Sequence, residues 1–163
     1  MGFELRLVAD ADLPDLQRIY EASPAVFRQL IGRPADPELA VRDFLDALRA
    51  PGRFQFGAFL DDVLIGVADC KLDEGEEGLA HIGMLLLAAP YDDPGIRGLA
   101  LRILERWLAA QFGAVRVETG VVSHAPAEID FWLSQGYDFT GGQYSRELPG
   151  YAPRFLILGK DIG

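Results

Sequence analysis

The residues best placed to do chemistry sit in one polar turn, Pro90-Tyr91-Asp92-Asp93-Pro94-Gly95-Ile96-Arg97-Gly98. An apolar run, Ile82 to Leu87, precedes it and is short enough for a strand. Leu99 to Phe112 follows, rich in Leu and Ala and free of internal Gly and Pro, and reads as a helix. Strand, glycine turn and helix make a generic anion-binding layout, because helical N–H groups and a positive dipole end face the turn. The chemistry this allows is recognition of a phosphate by backbone amides, although most units of this shape bind nothing. Neither Gly-Lys-Ser nor Gly-Lys-Thr occurs in the turn, so nucleotide hydrolysis has no support.

Two other groups of reactive residues read as structural. Asp73, Glu74, Glu76 and Glu77 crowd a second turn, but their spacing fits no calcium loop and a solvated acidic turn is expected, with no metal site. Cys70 is the only cysteine and lies in an apolar run, where it is a packing residue rather than a nucleophile. A lone thiol allows no internal disulfide and points to a reducing, cytoplasmic setting. No signal peptide or membrane-length apolar segment is visible.

The elements that must hold the turn in place follow from pattern. Glu4 to Val8 alternates like a strand, and Leu13, Leu16, Ile19 and Tyr20 mark a helix. Ala22 to Pro34 suggests a second short helix, and Asp36-Pro37 reads as cap and first residue of a third. Phe54 to Leu60 and Val63 to Lys71 form a hairpin about Asp61-Asp62. Ala114 to Val122 is a strand, Pro126 to Gln135 a short helix, and Tyr137 to Tyr144 and Arg154 to Lys160 two last strands. The 163 residues read as a single mixed α/β domain. With 25 acidic and 15 basic residues the net charge is -10, which argues against nucleic-acid or anionic-membrane binding and permits a cationic substrate such as an amine.

Laid out this way, the chain resembles the GNAT N-acetyltransferase superfamily over essentially its full length. The pieces that carry the resemblance are IGMLLL (Ile82 to Leu87), the glycine turn, LERW (Leu104 to Trp107) and GVVSHAPAEIDFWLSQGYDFTG (Gly120 to Gly141), with its Gly136-Tyr137 step. The resemblance implies a central sheet of about seven strands flanked by about four or five helices and splayed between strands four and five. It implies acetyl-CoA in that wedge, its pantetheine on the backbone of Leu85, Leu86 and Leu87 and its diphosphate on the turn at Asp92, Gly95, Ile96, Arg97, Gly98 and Leu99. Ala125 and Trp132 stand near the cofactor. The reaction implied is transfer of acetyl to a primary amine of a small molecule or peptide, in a protein for which the resemblance also suggests a homodimer.

Departures from the family pattern are concentrated at this site. Asp92 stands where Gln or Arg is usual, and Arg97 where Gly or Ala is usual. Either Arg97 turns toward a phosphate and offsets the acids, or Asp92 and Asp93 point outwards. Pro94 removes one amide donor. Ala125 replaces an Asn, and Trp132 replaces the Tyr that protonates the leaving thiolate; an indole donates a hydrogen bond but is no general acid. Trp132 packs either beside the pantetheine or in the core. His81 is the candidate base, expected by alternation on one strand face with Gly83, Leu85 and Leu87. His124 is a weaker candidate, and Tyr144 and Tyr137 are remoter acids. The alternative to an enzyme is a catalytically degenerate protein of the same shape that binds a ligand or partner.

Overall fold

The computed structural model describes residues 2–163. Its elements in chain order are β1 (Phe3–Leu7), α1 (Leu13–Glu21), α2 (Pro24–Ile31), α3 (Leu39–Arg49), β2 (Arg53–Leu60), β3 (Val63–Leu72), β4 (Leu79–Leu87), α4 (Pro94–Phe112), β5 (Arg116–Val122), α5 (Pro126–Ser134), β6 (Asp138–Ser145) and β7 (Arg154–Asp161). The strands form one sheet in the order β1-β2-β3-β4-β5-β7-β6. Among the described residues, no helix is long and apolar enough to cross a membrane.

Helices cover both faces of the sheet. On one face α1, α2 and α3 bury Leu16, Tyr20, Phe27 and Phe44 against Val67 and Leu86. On the other, α4 and α5 bury Leu101, Leu104, Leu108 and Phe131 against Cys70, Ile82, Leu85 and Val117. Cys70 is fully buried, and burial pushes its thiol up to about 12, so it packs as an uncharged group. The β2–β3 turn forms as expected, with Asp61 and Asp62 both in the left-handed region at φ 49° and 67°; Asp tolerates that conformation, and the hairpin twist requires it.

Two helix starts differ from expectation. Asp36 does not cap a helix at Pro37; its carboxylate accepts the Glu38 N–H at 3.0 Å and pairs with Arg42, and α3 begins at Leu39. More consequentially, α4 begins at Pro94 rather than Leu99, so Gly95 to Gly98 belong to its first helical turn. Asp93 caps it and Pro94 takes the first position, where a missing N–H costs nothing.

The central feature is how β4 meets β5. They are the parallel pair of the sheet, and their register runs from Leu79–Arg116 to Ile82–Thr119. Beyond Ile82 the two strands part. Thr119 Oγ1 donates to Ile82 O at 2.9 Å and marks the apex. Against β3, β4 carries a bulge at Gly83: Asp69 pairs with Met84 while Cys70 pairs with Ile82. One extra residue reverses the alternation of side chains beyond it. Ile82 and Leu85 therefore face α4, whereas Met84 and Leu86 face α1 and α3. The expectation that His81, Gly83, Leu85 and Leu87 share a face is corrected by this bulge.

Candidate active site

Two cavities meet at the apex, and α2 lines both. The first, of about 100 Å³, lies in the wedge and is lined by Gly83 to Leu87, Asp92, Arg97, Thr119 to Val122, Ala125, Glu128 and Trp132, with α2 above. The second, of about 520 Å³, opens under α2 and α3. Leu30, Gly83, Met84 and Gly120 line both.

The wedge gathers seven of the residues expected near a cofactor: Leu85, Leu86, Leu87, Asp92, Arg97, Ala125 and Trp132. Gly95, Ile96, Gly98 and Leu99 lie outside its lining. Leu99 is 38% exposed, and Gly98 packs so closely on Gln135 that a Cβ there would stand 2.9 Å from its Oε1. Helix geometry explains the dispersal, since residues of one turn point in different directions.

Arg97 does not turn outwards. It is 7% exposed and enters the wedge. Its guanidinium donates to Leu85 O at 2.8 Å and to both Glu128 oxygens at 2.8 and 3.1 Å. It lies over the Phe131 ring at 4.1 Å, with Asp92 3.9 Å away. Asp93 points inwards to its own helix, its Oδ1 accepting the Ile96 N–H at 3.0 Å. With Pro94 lacking a donor and Ile96 capped, Gly95 N–H is the amide of this first turn left without an acceptor among the described residues. Trp132 is 3% exposed and packs edge-on against Phe131 and Tyr137, forming a wall of the wedge as well as part of the core.

The second cavity carries the ionisable groups. Arg53 holds Asp69 in a two-bonded pair at 3.0 and 2.6 Å. Tyr20 Oη donates to Asp43 at 3.2 Å, and burial, opposed by that bond, raises the Asp43 carboxyl above its usual range. Sequence reasoning missed these four residues; the available signal was Asp69, an acid inside the apolar run of β3. His81 lies on this cavity, its Nε2 2.7 Å from Asp73 Oδ1. That bond, with the N–H groups of Glu76 and Gly75, holds Asp73 down to about 2. Tyr144 also lines it, stacked on Phe155 at 5.0 Å and 12°. Its hydroxyl lies so close over Gly120 that a Cβ there would be 2.3 Å away. Burial raises the Tyr144 pKa and keeps the proton on oxygen. Above the cavity, Tyr151 Oη donates to Gln29 O at 2.5 Å and ties the β6–β7 loop to α2.

His124 lies on an exposed turn, and Tyr137 is buried behind Trp132, its hydroxyl donating to Glu105 at 2.7 Å. Neither lines the two cavities.

A seven-stranded sheet splayed between its parallel central strands, with two cavities meeting at the apex, places the protein in a class of α/β folds built around an open central wedge. The model of the acetyltransferase (GNAT) family matches residues 15–137, and the chain belongs to that family. Among solved structures it is similar to an acetyltransferase from Thermus thermophilus, at 27% identity and TM-score 0.78, covering 99% of this chain and 97% of that one. It shares its fold with the spermidine N-acetyltransferase of Vibrio cholerae in complex with CoA and spermine, at 11% identity, TM-score 0.78, and coverage of 98% and 95%. A third relative in fold is the PaiA N-acetyltransferase of Thermoplasma acidophilum in complex with coenzyme A, at 17% identity, TM-score 0.68, and coverage of 99% of both chains. A search of curated proteins gave no match.

Acetyl-CoA is the cofactor of this family, and the main chain of the wedge suits it. Beyond Ile82 the β4 edge has no pairing with β5, leaving backbone groups for an amide-bearing arm. The side chains suit it less. Arg97 already occupies Leu85 O, and the first turn of α4 offers one free amide with Asp92 and Asp93 beside it.

Proposed function

We propose that residues 1–163 form one domain that acts as an acetyl-CoA-dependent N-acetyltransferase, moving acetyl to a primary amine of a small molecule or an exposed peptide amine. The observation that supports it is the meeting of the two cavities at Leu30, Gly83, Met84 and Gly120. A donor in the wedge and an acceptor in the larger cavity would meet there. Leu85 and Leu87 main chain, Gly95 N–H and Arg97 are the groups available to hold the donor. Bound acetyl-CoA supplies the activated acetyl group.

The acceptor must lose a proton before it attacks, since an ammonium has no lone pair. Asp43 and the Arg53–Asp69 pair make the cavity floor able to orient a cation. His81 is the proposed base: it lines this cavity after the bulge in β4, and Asp73 holds its ring at 2.7 Å. Tyr144 holds its proton at Oη over Gly120, at the apex. The protein is read as cytoplasmic on its single thiol.

A second reading, a GNAT-shaped protein that binds a ligand or partner without catalysis, draws support from the Arg97–Glu128 pair in the wedge. Calorimetric titration with acetyl-CoA, followed by thiol release against a panel of polyamines, amino acids and peptides, separates the two. Heat with submillimolar acetyl-CoA and release with at least one amine are expected. No heat at millimolar ligand would leave only the second reading.

A further inference from the structure

Arg97 reaches across three elements that a donor would have to separate. It starts on the first turn of α4, ends on Glu128 in the first turn of α5, and on the way takes Leu85 O from β4. The closure is polar on one side and apolar on the other. Glu128 and Asp92 have side chains 44% and 53% exposed, while Phe131 beneath the guanidinium is 7% exposed. A rivet would be buried at both ends. This pair has one end in water, where an ion pair is weak and readily exchanged.

We infer that the Arg97–Glu128 pair is a latch across the donor wedge, and that a diphosphate opens it by exchanging with Glu128 for the guanidinium. The inference rests on the acetyltransferase reading above. Exchange is chemically matched, because carboxylate and phosphate both accept the paired N–H groups of Arg in the same forked geometry. Once Arg97 leaves, Leu85 O is a buried acceptor without its donor, so a ligand lacking an amide N–H to replace it carries a penalty. The latch thus selects a donor with two features, a diphosphate to draw Arg97 out and an amide-bearing arm to take its place. An acyl donor without phosphates meets a closed wedge.

The test is calorimetric titration of CoA and of pantetheine, which lacks the phosphates, into the wild type, Glu128→Gln and Arg97→Ala. Glu128 is half exposed, so Glu128→Gln is expected to fold, and a cooperative thermal transition checks each variant. Glu128→Gln removes the competitor and should tighten CoA about two- to fivefold, the value of one partly exposed ion pair. Arg97→Ala should bind CoA more weakly than Glu128→Gln but pantetheine more tightly than the wild type, because plug and phosphate ligand are lost together. If the wild type binds CoA and Glu128→Gln binds it no tighter, the latch is wrong and the acetyltransferase reading stands. If no protein of the three binds CoA, both are wrong.

Discussion

Replacing Gly120 by Ala sets two effects of similar size against each other at the apex of the site. A Cβ on Gly120 would stand 2.3 Å from Tyr144 Oη and 3.0 Å from two of its ring carbons, so the ring must swing away. Gly120 is not among the residues with positive φ, so Ala suits the backbone and should stabilise the fold by about 0.4–1 kcal/mol through the unfolded chain. Displacing the ring breaks its stack on Phe155, 5.0 Å away and nearly parallel, at a cost of about 0.5–1.5 kcal/mol. In the wild type the two should nearly cancel, leaving a change of about 1 kcal/mol or less in either direction. In a Tyr144→Ala background the stack is already gone, and the same substitution should stabilise by about 0.4–1 kcal/mol. The coupling between the sites is then about 0.5–1.5 kcal/mol. Urea denaturation of the four proteins, with a shared slope, measures it. Equal stabilisation in both backgrounds would show that the Tyr144 ring does not lie over Gly120, and its place at the apex would be lost.

Tyr137→Phe removes the buried donor to Glu105, a bond to a charged group with a typical value of about 1.5–3 kcal/mol. Lys160 remains on Glu105 at 3.1 and 3.3 Å, which points to the low end of that range, and a loss under about 0.5 kcal/mol by urea denaturation would contradict the network. For Asp73 the sign follows from a carboxyl lowered from its usual 3.8 to about 2 in the fold. Its contribution to stability is complete above its unfolded value and disappears as the pH falls through about 2. Asp73→Asn should therefore flatten the stability profile between about pH 4 and 2, and an unchanged slope across that window would show that His81 and the turn amides do not hold this carboxylate.

The order of strands and helices was written in local pattern. Apolar residues three and four apart marked α1, and an Asp-Asp step between two β-rich runs marked the β2–β3 hairpin. The turn after β4 and the Gly136-Tyr137 step carried the family likeness. Each is a property of a few neighbouring residues, so it is legible along the chain.

What the site looks like depended on contacts that no local window contains. The bulge at Gly83 arises from how β4 packs against β3, and it puts His81 on the face of Met84, opposite Leu85. The partners Arg97 and Glu128 are separated by 31 residues and meet only because β4 and β5 part after Ile82 and leave a wedge narrow enough for one guanidinium to span. Sequence determined that an acid-rich turn with one arginine would open α4. The tertiary structure decided that the arginine faces inward, because there its charge finds a carboxylate, a carbonyl and an aromatic face within 4.1 Å or less.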